Sequence, residues 1–219
     1  MEYGPSKKVC RESYFTLEKL VKMHPYSIDN EERKTILLAF ALISVVLAWG
    51  FYKILSIYQI PLPWWIESPS VLFFYGFIFI VFDKWAWKIF AKIGLIKTPQ
   101  LNGKWKGYLK SSFDEHATEV KATLTIYQTW TRIRISSATE HSSSYSETAS
   151  IVLNAPEGNY LSYQYINEPK ADAANKLGIH RGTTRLFFNE KENTLYGEYF
   201  SGRGRQNYGS IFFKKTFKL

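Results

Sequence analysis

The chain has 219 residues, a formal net charge of +9 and a single cysteine, Cys10. This length suits one ordinary domain with an appendage and leaves little room for two enzymatic domains. One cysteine excludes an intrachain disulfide, a cysteine-based zinc cage and a thiol pair for redox chemistry. No HExxH, P-loop or GxSxG motif is present, and the histidines lack metal-ligand spacing, so the sequence predicts no catalytic or metal-binding motif.

Two apolar segments follow a polar and basic N-terminal stretch, residues 1–34. The first segment, 35–52, is uncharged over 18 residues, close to the roughly 20 residues that a helix needs to cross a bilayer. The second, 68–82, is uncharged over 15 residues and approaches spanning length when residues 64–66 are added. The pattern predicts a transmembrane hairpin of residues 35–97, with helices at about 35–58 and 64–84.

The distribution of lysine and arginine predicts how this hairpin is oriented. Basic residues are frequent before the first helix and after the second, whereas the connection between the helices has only Lys53 near its start. Basic flanking segments remain in the cytoplasm. We therefore expect a multi-pass membrane protein that contacts the lipid bilayer and whose N-terminus and C-terminal domain are both cytoplasmic.

The remaining residues, 98–219, alternate apolar and polar positions in a pattern typical of β-strands. Eight such segments are separated by short connections rich in Asn, Gly and Pro, which suit hairpins. They run over 103–112, 117–128, 130–138, 144–154, 159–167, 180–188, 194–201 and 208–217. Consecutive antiparallel strands favour a closed, lipocalin-like up-and-down barrel, because closure removes exposed sheet edges. The fold class is therefore a two-helix hairpin followed by an all-β, eight-stranded antiparallel barrel.

Alternation of side chains also predicts which residues face the barrel interior. In the second strand, Ala122, Leu124 and Ile126 share a face that we expect to be inside. Because successive strands run in opposite directions, the barrel has a base near the hairpin and a mouth at the other end. The candidate ligand-binding residues at this mouth are Ser111, Tyr145, Tyr163, Tyr165, His180, Thr184, Tyr199, Arg203, Arg205 and Tyr208.

Tyrosine and arginine side chains at one mouth favour a planar, anionic guest. Aromatic rings stack on bases, and guanidinium groups form paired hydrogen bonds with phosphate. A nucleotide fits this mixture better than a fatty acid does. The alternative is a barrel filled by its own side chains, with residues 201–205 as a solvated glycine-rich hairpin. We expect no binding of a nucleic acid polymer, since the two RG repeats at 202–205 form only a weak signal.

Five segments after the hairpin support a resemblance to a known family. They are LNGKWKGYL (101–109), IYQTWTRIRI (126–135), YQYINEP (163–169), HRGTTRL (180–186) and GEYFSGR (197–203). In this order, they resemble the bacterial antiphage (CBASS) effectors that have two N-terminal transmembrane helices and a C-terminal β-barrel that senses a cyclic nucleotide. The resemblance covers nearly the whole chain.

The resemblance implies a receptor-effector of antiphage defence that is not an enzyme, uses no cofactor and is located in the cell inner membrane. Its activating ligand would be a cyclic di- or trinucleotide, supplied by a nucleotidyltransferase during phage infection. Ligand binding would promote assembly of a homo-oligomer and disruption of the inner membrane, which is abortive infection.

Two other functions remain open at this point. The tripeptide GKW at 103–105 resembles the lipocalin GxW element, which favours a membrane-tethered, lipocalin-like binder of a small apolar ligand. A structural membrane adaptor with a self-filled barrel would bind no ligand.

Overall fold

The computed structural model describes residues 23–59, 64–171, 173, 178–203 and 205–216. A short strand, β1 (His24–Ile28), precedes two long helices, α1 (Glu32–Ile57) and α2 (Trp64–Val81). A π-helical turn (Phe82–Ala86) joins α2 to a short helix, α3 (Trp87–Lys92). Most of the segment expected to be cytoplasmic, 1–34, lies outside the described residues, and its described part contains β1.

The two long helices pack against each other along a narrow stripe of α1. Phe40, Ser44 and Ala48, spaced four residues apart, are the buried residues of this helix. The small side chains of Ser44 and Ala48 permit close helix packing, and the hydroxyl of Ser44 donates a 2.6 Å hydrogen bond to the carbonyl of Phe40. Most other apolar residues of α1 are exposed. By length and composition, segments 32–57 and 70–92 are long and apolar enough to cross a membrane.

Eight strands follow the helices and form a closed antiparallel barrel, which confirms the predicted fold class. Neighbouring strands in the chain pair with each other, and β2 pairs with β9 to close the ring. Each strand boundary lies within three residues of the predicted one. The strands are β2 (Gly103–Ser111), β3 (Val120–Gln128), β4 (Arg132–Ala138), β5 (Ser142–Val152), β6 (Tyr160–Pro169), β7 (His180–Asn189), β8 (Thr194–Ser201) and β9 (Tyr208–Thr216).

β1 is inserted between β4 and β5 at the base of the barrel. Near the mouth these two strands pair directly, for example Ser137 with Ser144. Towards the base they separate, and β1 pairs antiparallel with β4 and parallel with β5. Local sequence patterns did not predict this strand, because its partners lie more than 100 residues away along the chain.

Apolar side chains fill the base half of the barrel. The predicted interior residues Ala122, Leu124 and Ile126 are buried in a core that also contains Trp105 and Leu161. Burial of such side chains stabilises the fold by about 1.5–3 kcal/mol each. Open space is found in the other half of the barrel, near the mouth.

A second apolar cluster joins the base of the barrel to the helices. It consists of Phe40, Phe82, Trp87, Ile96 and Trp130, and Trp130 lies in the turn between β3 and β4. The Trp130 ring meets Phe82 edge-on, with centroids 5.0 Å apart. Because helices and barrel share this core, the hairpin is packed against the barrel base.

Candidate ligand-binding cavity

The mouth half of the barrel contains a cavity of about 790 Å³, at the end opposite the helices. This volume lies within the usual 300–1,000 Å³ range of small-molecule sites. All eight strands of the antiparallel barrel contribute side chains to its lining. The inner end of the cavity is apolar and is formed by Leu109, Val120, Ile211 and Phe213.

Aromatic side chains of β6, β7 and β8 form one wall of the cavity. Tyr163 and Tyr165 are both less than 8% exposed, and their ring centroids lie 6.3 Å apart. Next to them, the ring of His180 meets Tyr165 edge-on at 6.4 Å, and Tyr199 also lines the cavity. This wall presents flat apolar surfaces on which a base can stack.

Burial keeps Tyr163 and Tyr165 neutral. Desolvation raises the pKa of Tyr165 to about 12, although the nearby hydroxyl of Ser201 counteracts the effect. Burial likewise raises the pKa of Tyr163 above its ordinary value, with Thr184 acting in the opposite direction. Neutral phenols can both donate and accept hydrogen bonds, so the wall can contact polar edges of a guest as well as its faces.

His180 and Arg205 both line the cavity, close enough for their charges to interact. Burial lowers the pKa of His180 below its ordinary value, and the positive charge of Arg205 contributes in the same direction. A nitrogen of the His180 ring lies 3.1 Å from the carbonyl oxygen of Gly178. Among the described lining residues, Arg205 is the one with a permanent positive charge. It is therefore the natural partner for a phosphate group.

The cavity lining on β4, on β5, in the turn between them and at the end of β6 is rich in hydroxyl and amide side chains. Its members are Ser137, Thr139, Ser142, Ser144 and Asn167. Thr139 and Ser142 contact each other through hydroxyl oxygens 3.2 Å apart, and Asn167 donates a 3.2 Å hydrogen bond to Ser142. This hydroxyl wall faces the same space as the tyrosines. The cavity therefore combines stacking surfaces with hydrogen-bonding groups.

Seven of the ten residues expected at the mouth line this cavity: Ser111, Tyr163, Tyr165, His180, Thr184, Tyr199 and Arg205. The structure places the other three, Tyr145, Arg203 and Tyr208, outside it. The residues that sequence reasoning missed are chiefly those of the hydroxyl wall. Ile133 and Ile135 face the barrel interior, and the same alternation along β4 places Ser137 on that face. Part of the hydroxyl wall could therefore have been predicted from the sequence.

A β-bulge explains the position of Tyr145. The register of β5 against β6 shifts between Ser146 and Thr148, and such a bulge reverses the parity of side chains along a strand. Ala149 and Ile151 face the core on one side of the bulge, whereas Ser144 faces the cavity on the other. Tyr145 therefore lies on the outer face, where its hydroxyl donates a 3.2 Å hydrogen bond to Glu168.

Arg203 and Tyr208 lie outside the cavity for different reasons. Arg203 is an exposed residue of the connection between β8 and β9. Tyr208 is the first residue of β9, where its neighbour Gly209 takes the buried position. The Tyr208 side chain is 54% exposed on the outer face of the barrel.

The cavity-bearing part of the chain is similar to proteins of known family. Residues 96–215 match the family described as Cap15, cyclic dinucleotide receptor domain. Over 132 residues the chain is 34% identical to CD-NTase-associated protein 15 of Yersinia aleksiciae, a match covering 59% of this chain and 62% of that protein. A protein of the same name from Staphylococcus schleiferi is 34% identical over 128 residues, covering 58% of this chain and 67% of the relative. The match thus spans less than two thirds of the first relative.

Proposed function

Because the chain belongs to the family of Cap15 cyclic dinucleotide receptor domains, we propose that it is a membrane-anchored CBASS effector whose barrel binds a cyclic dinucleotide in the cavity at its mouth. The observation that supports this proposal is the composition of the cavity. Tyr163, Tyr165 and Tyr199 offer stacking surfaces for bases, and Arg205 offers a cation for phosphate. The volume of about 790 Å³ is sufficient for a ligand of this class.

The cavity chemistry argues against a carrier of apolar molecules. A fatty acid would leave the hydroxyl wall and the phenols at its side without partners, and unsatisfied buried polar groups cost about 1–3 kcal/mol each. A nucleotide has oxygen and nitrogen atoms over its whole surface and can satisfy such groups. If the protein were a structural adaptor whose barrel is filled by its own side chains, the half of the barrel near the mouth would not contain an open cavity.

The signal comes from a nucleotidyltransferase in this proposal, and two relatives are named for their association with such an enzyme. The helices α1 and α2 anchor the chain in the inner membrane, with the N-terminus and the barrel in the cytoplasm. Ligand binding promotes self-association, and the assembled hairpins disrupt the membrane. The exposed apolar faces of α1 support this part of the proposal, because they are available to lipid or to neighbouring hairpins.

Thermal unfolding of the full chain in detergent tests ligand binding directly. A ligand that binds only the folded protein adds about 2.7 kcal/mol to its stability at a hundred times its Kd. We expect at least one cyclic dinucleotide to raise the Tm, and we expect Arg205→Ala to reduce the rise. Arg203→Ala is the matched control, since this neighbouring arginine lies outside the cavity.

A rise in Tm with fatty acids alone would contradict the proposal and favour the apolar carrier. Dye release from liposomes that contain the full chain tests the membrane step separately. We expect release to require the same cyclic dinucleotide that raises the Tm. Binding without release would disprove membrane disruption and leave the receptor assignment intact.

A further inference from the structure

The outer face of the barrel has an unusual row of aromatic side chains. Tyr196 on β8, Phe212 on β9 and Tyr108 on β2 are paired directly across the three strands. Tyr196 is 50% exposed and Phe212 is 36% exposed. The outer face of an antiparallel barrel normally presents polar residues to water. The row is not part of the cavity, which lies on the inner side of the same strands.

A second aromatic pair lies on the same outer face, nearer the mouth. Phe200 on β8 is paired with Tyr208 on β9, and both are more than half exposed. With about 200 Å² per aromatic side chain, the exposed parts of the aromatic residues add up to roughly 400 Å².

Between the two aromatic sets runs a short row of polar and charged residues. Glu198 on β8 is paired with Ser210 on β9, and Ser210 is paired with Lys110 on β2. Glu198 is exposed and takes part in none of the salt bridges among the described residues. Lys110 has an exposed partner, Glu119, at 3.3 Å. Across β8, β9 and β2 the order is therefore acidic, neutral, basic.

This order is self-complementary under a two-fold rotation. Consider two copies whose outer faces meet and are related by a two-fold axis that runs along β9 through Ser210. This rotation places β8 of each copy opposite β2 of the other. Glu198 of each copy then lies opposite Lys110 of the other, and Phe212 lies opposite Phe212. Such an arrangement is the isologous contact of a two-fold dimer. A surface that binds anionic lipids would not have an acidic residue such as Glu198 next to its centre, so the charge pattern favours a second copy of the chain.

We propose that the outer face of β8, β9 and β2 is a contact surface for a second copy of this chain. The aromatic patch supplies about half of the roughly 800 Å² per partner that a standard interface buries. The charged row fixes the relative orientation of the two copies. This inference rests on the self-association in the proposed function and deepens it by locating the contact on the barrel wall. Loss of energy transfer in the unmodified protein would remove both, whereas equal transfer in all samples would remove only this contact surface.

Charge reversal tests the contact in the full chain. Donor-labelled and acceptor-labelled protein, modified at Cys10, is reconstituted into liposomes, and energy transfer is measured with and without cyclic dinucleotides. Glu198→Lys places lysine opposite lysine, and Lys110→Glu places glutamate opposite glutamate. We expect each variant alone to weaken association by about tenfold or more, because like charges facing each other across an interface are strongly unfavourable.

A mixture of the two variants provides the decisive control. When a Glu198→Lys chain meets a Lys110→Glu chain, both facing pairs have opposite charges, so energy transfer should return towards the level of the unmodified protein. Recovery in the mixture cannot come from repair of folding, since each chain still has its own single substitution. Absence of energy transfer in the unmodified protein under both conditions would overturn the proposal. So would equal transfer in all samples, or a mixture no better than the separate variants.

Discussion

The guanidinium of Arg33 donates a 2.7 Å hydrogen bond to the carbonyl oxygen of Trp130. This bond joins the first turn of α1 to the turn between β3 and β4. A second 2.7 Å bond runs from the same guanidinium to the carbonyl oxygen of Tyr26 in β1, and the guanidinium lies 4.4 Å from the centre of the Tyr26 ring. One side chain thus connects the membrane hairpin, the inserted strand and the barrel base.

We expect Arg33→Met to lower the free energy of unfolding by about 2–4 kcal/mol, since hydrogen bonds to charged groups contribute about 1.5–3 kcal/mol each. The measurement is chemical unfolding of the full chain in detergent. Lys34→Met is the matched control, because the ion pair that Lys34 makes among the described residues is an exposed one, with Glu31. Equal losses for the two variants would show that Arg33 does not stabilise the junction.

Gly182 gives the Tyr165 ring room to lie against the cavity wall. A Cβ at this position would collide with the phenol of Tyr165 and with the carbonyl oxygen of Phe200. We therefore expect Gly182→Ala to displace the Tyr165 ring and to reduce cyclic dinucleotide affinity by about tenfold or more, as loss of one stacked base costs about 1–3 kcal/mol.

Calorimetric titration of the full chain checks this prediction. The control is Gly178→Ala at the same rim, where an added Cβ has no atom of the described residues within 4 Å. The control should bind like the unmodified protein. Comparable affinities for both variants would mean that Tyr165 does not need its present position to bind ligand.

Ser144 and Ser143 are neighbours on β5 with different exposures. Ser144 lines the cavity, whereas Ser143 is exposed to solvent and lies outside it. We expect Ser144→Val to weaken ligand binding by about 0.5–1.5 kcal/mol through loss of one hydrogen bond, while Ser143→Val leaves it unchanged. Both changes place a β-branched valine in a strand, where it is well tolerated. An effect of Ser143→Val as large as that of Ser144→Val would argue against a role for the hydroxyl wall.

The lowered pKa of His180 predicts a dependence of stability on pH. Burial makes the folded protein bind a proton at His180 less readily than the unfolded chain does. The unfolded state therefore takes up more protons as the pH falls below the ordinary histidine pKa of about 6.5, and stability decreases there. Above that pH the neutral His180 imposes no such cost.

The measurement is the Tm of the unmodified chain and of His180→Gln between pH 8 and pH 5. The unmodified chain should lose more Tm over this interval, because glutamine does not titrate. Parallel pH profiles for the two proteins would contradict the prediction. Comparing the two profiles removes the contributions of all other titrating groups.

The main elements could be predicted from local patterns in the sequence. Uninterrupted apolar runs locate the helices, and period-2 alternation locates all eight strands of the antiparallel barrel. The parity of Ala122, Leu124 and Ile126 correctly identifies the core face of β3. These inferences succeed because they depend on the burial of one face of each element. Such burial produces a periodic pattern of apolar residues that is visible among neighbours in the sequence.

The placement of site residues was less accessible, as β5 illustrates. A single bulge between Ser146 and Thr148 exchanges the inner and outer faces of the strand, so Ser144 replaces Tyr145 in the cavity lining. The bulge occurs where β4 and β5 begin to separate around β1. No pattern within β5 indicates it, because the partner that causes the separation comes from the other end of the chain.

By itself the sequence determined that two apolar helices precede an eight-stranded barrel, and that tyrosines and an arginine gather at the barrel mouth. Local hydrophobic periodicity is sufficient for these features. Only the tertiary structure decided that β1 is inserted between β4 and β5. It also decided that Arg205 and not Arg203 lines the cavity, and that Glu198 and Lys110 flank Ser210 on the outer face of the barrel. These features depend on strand register and on pairing between distant segments, and a shift of one residue would turn each side chain to the opposite face.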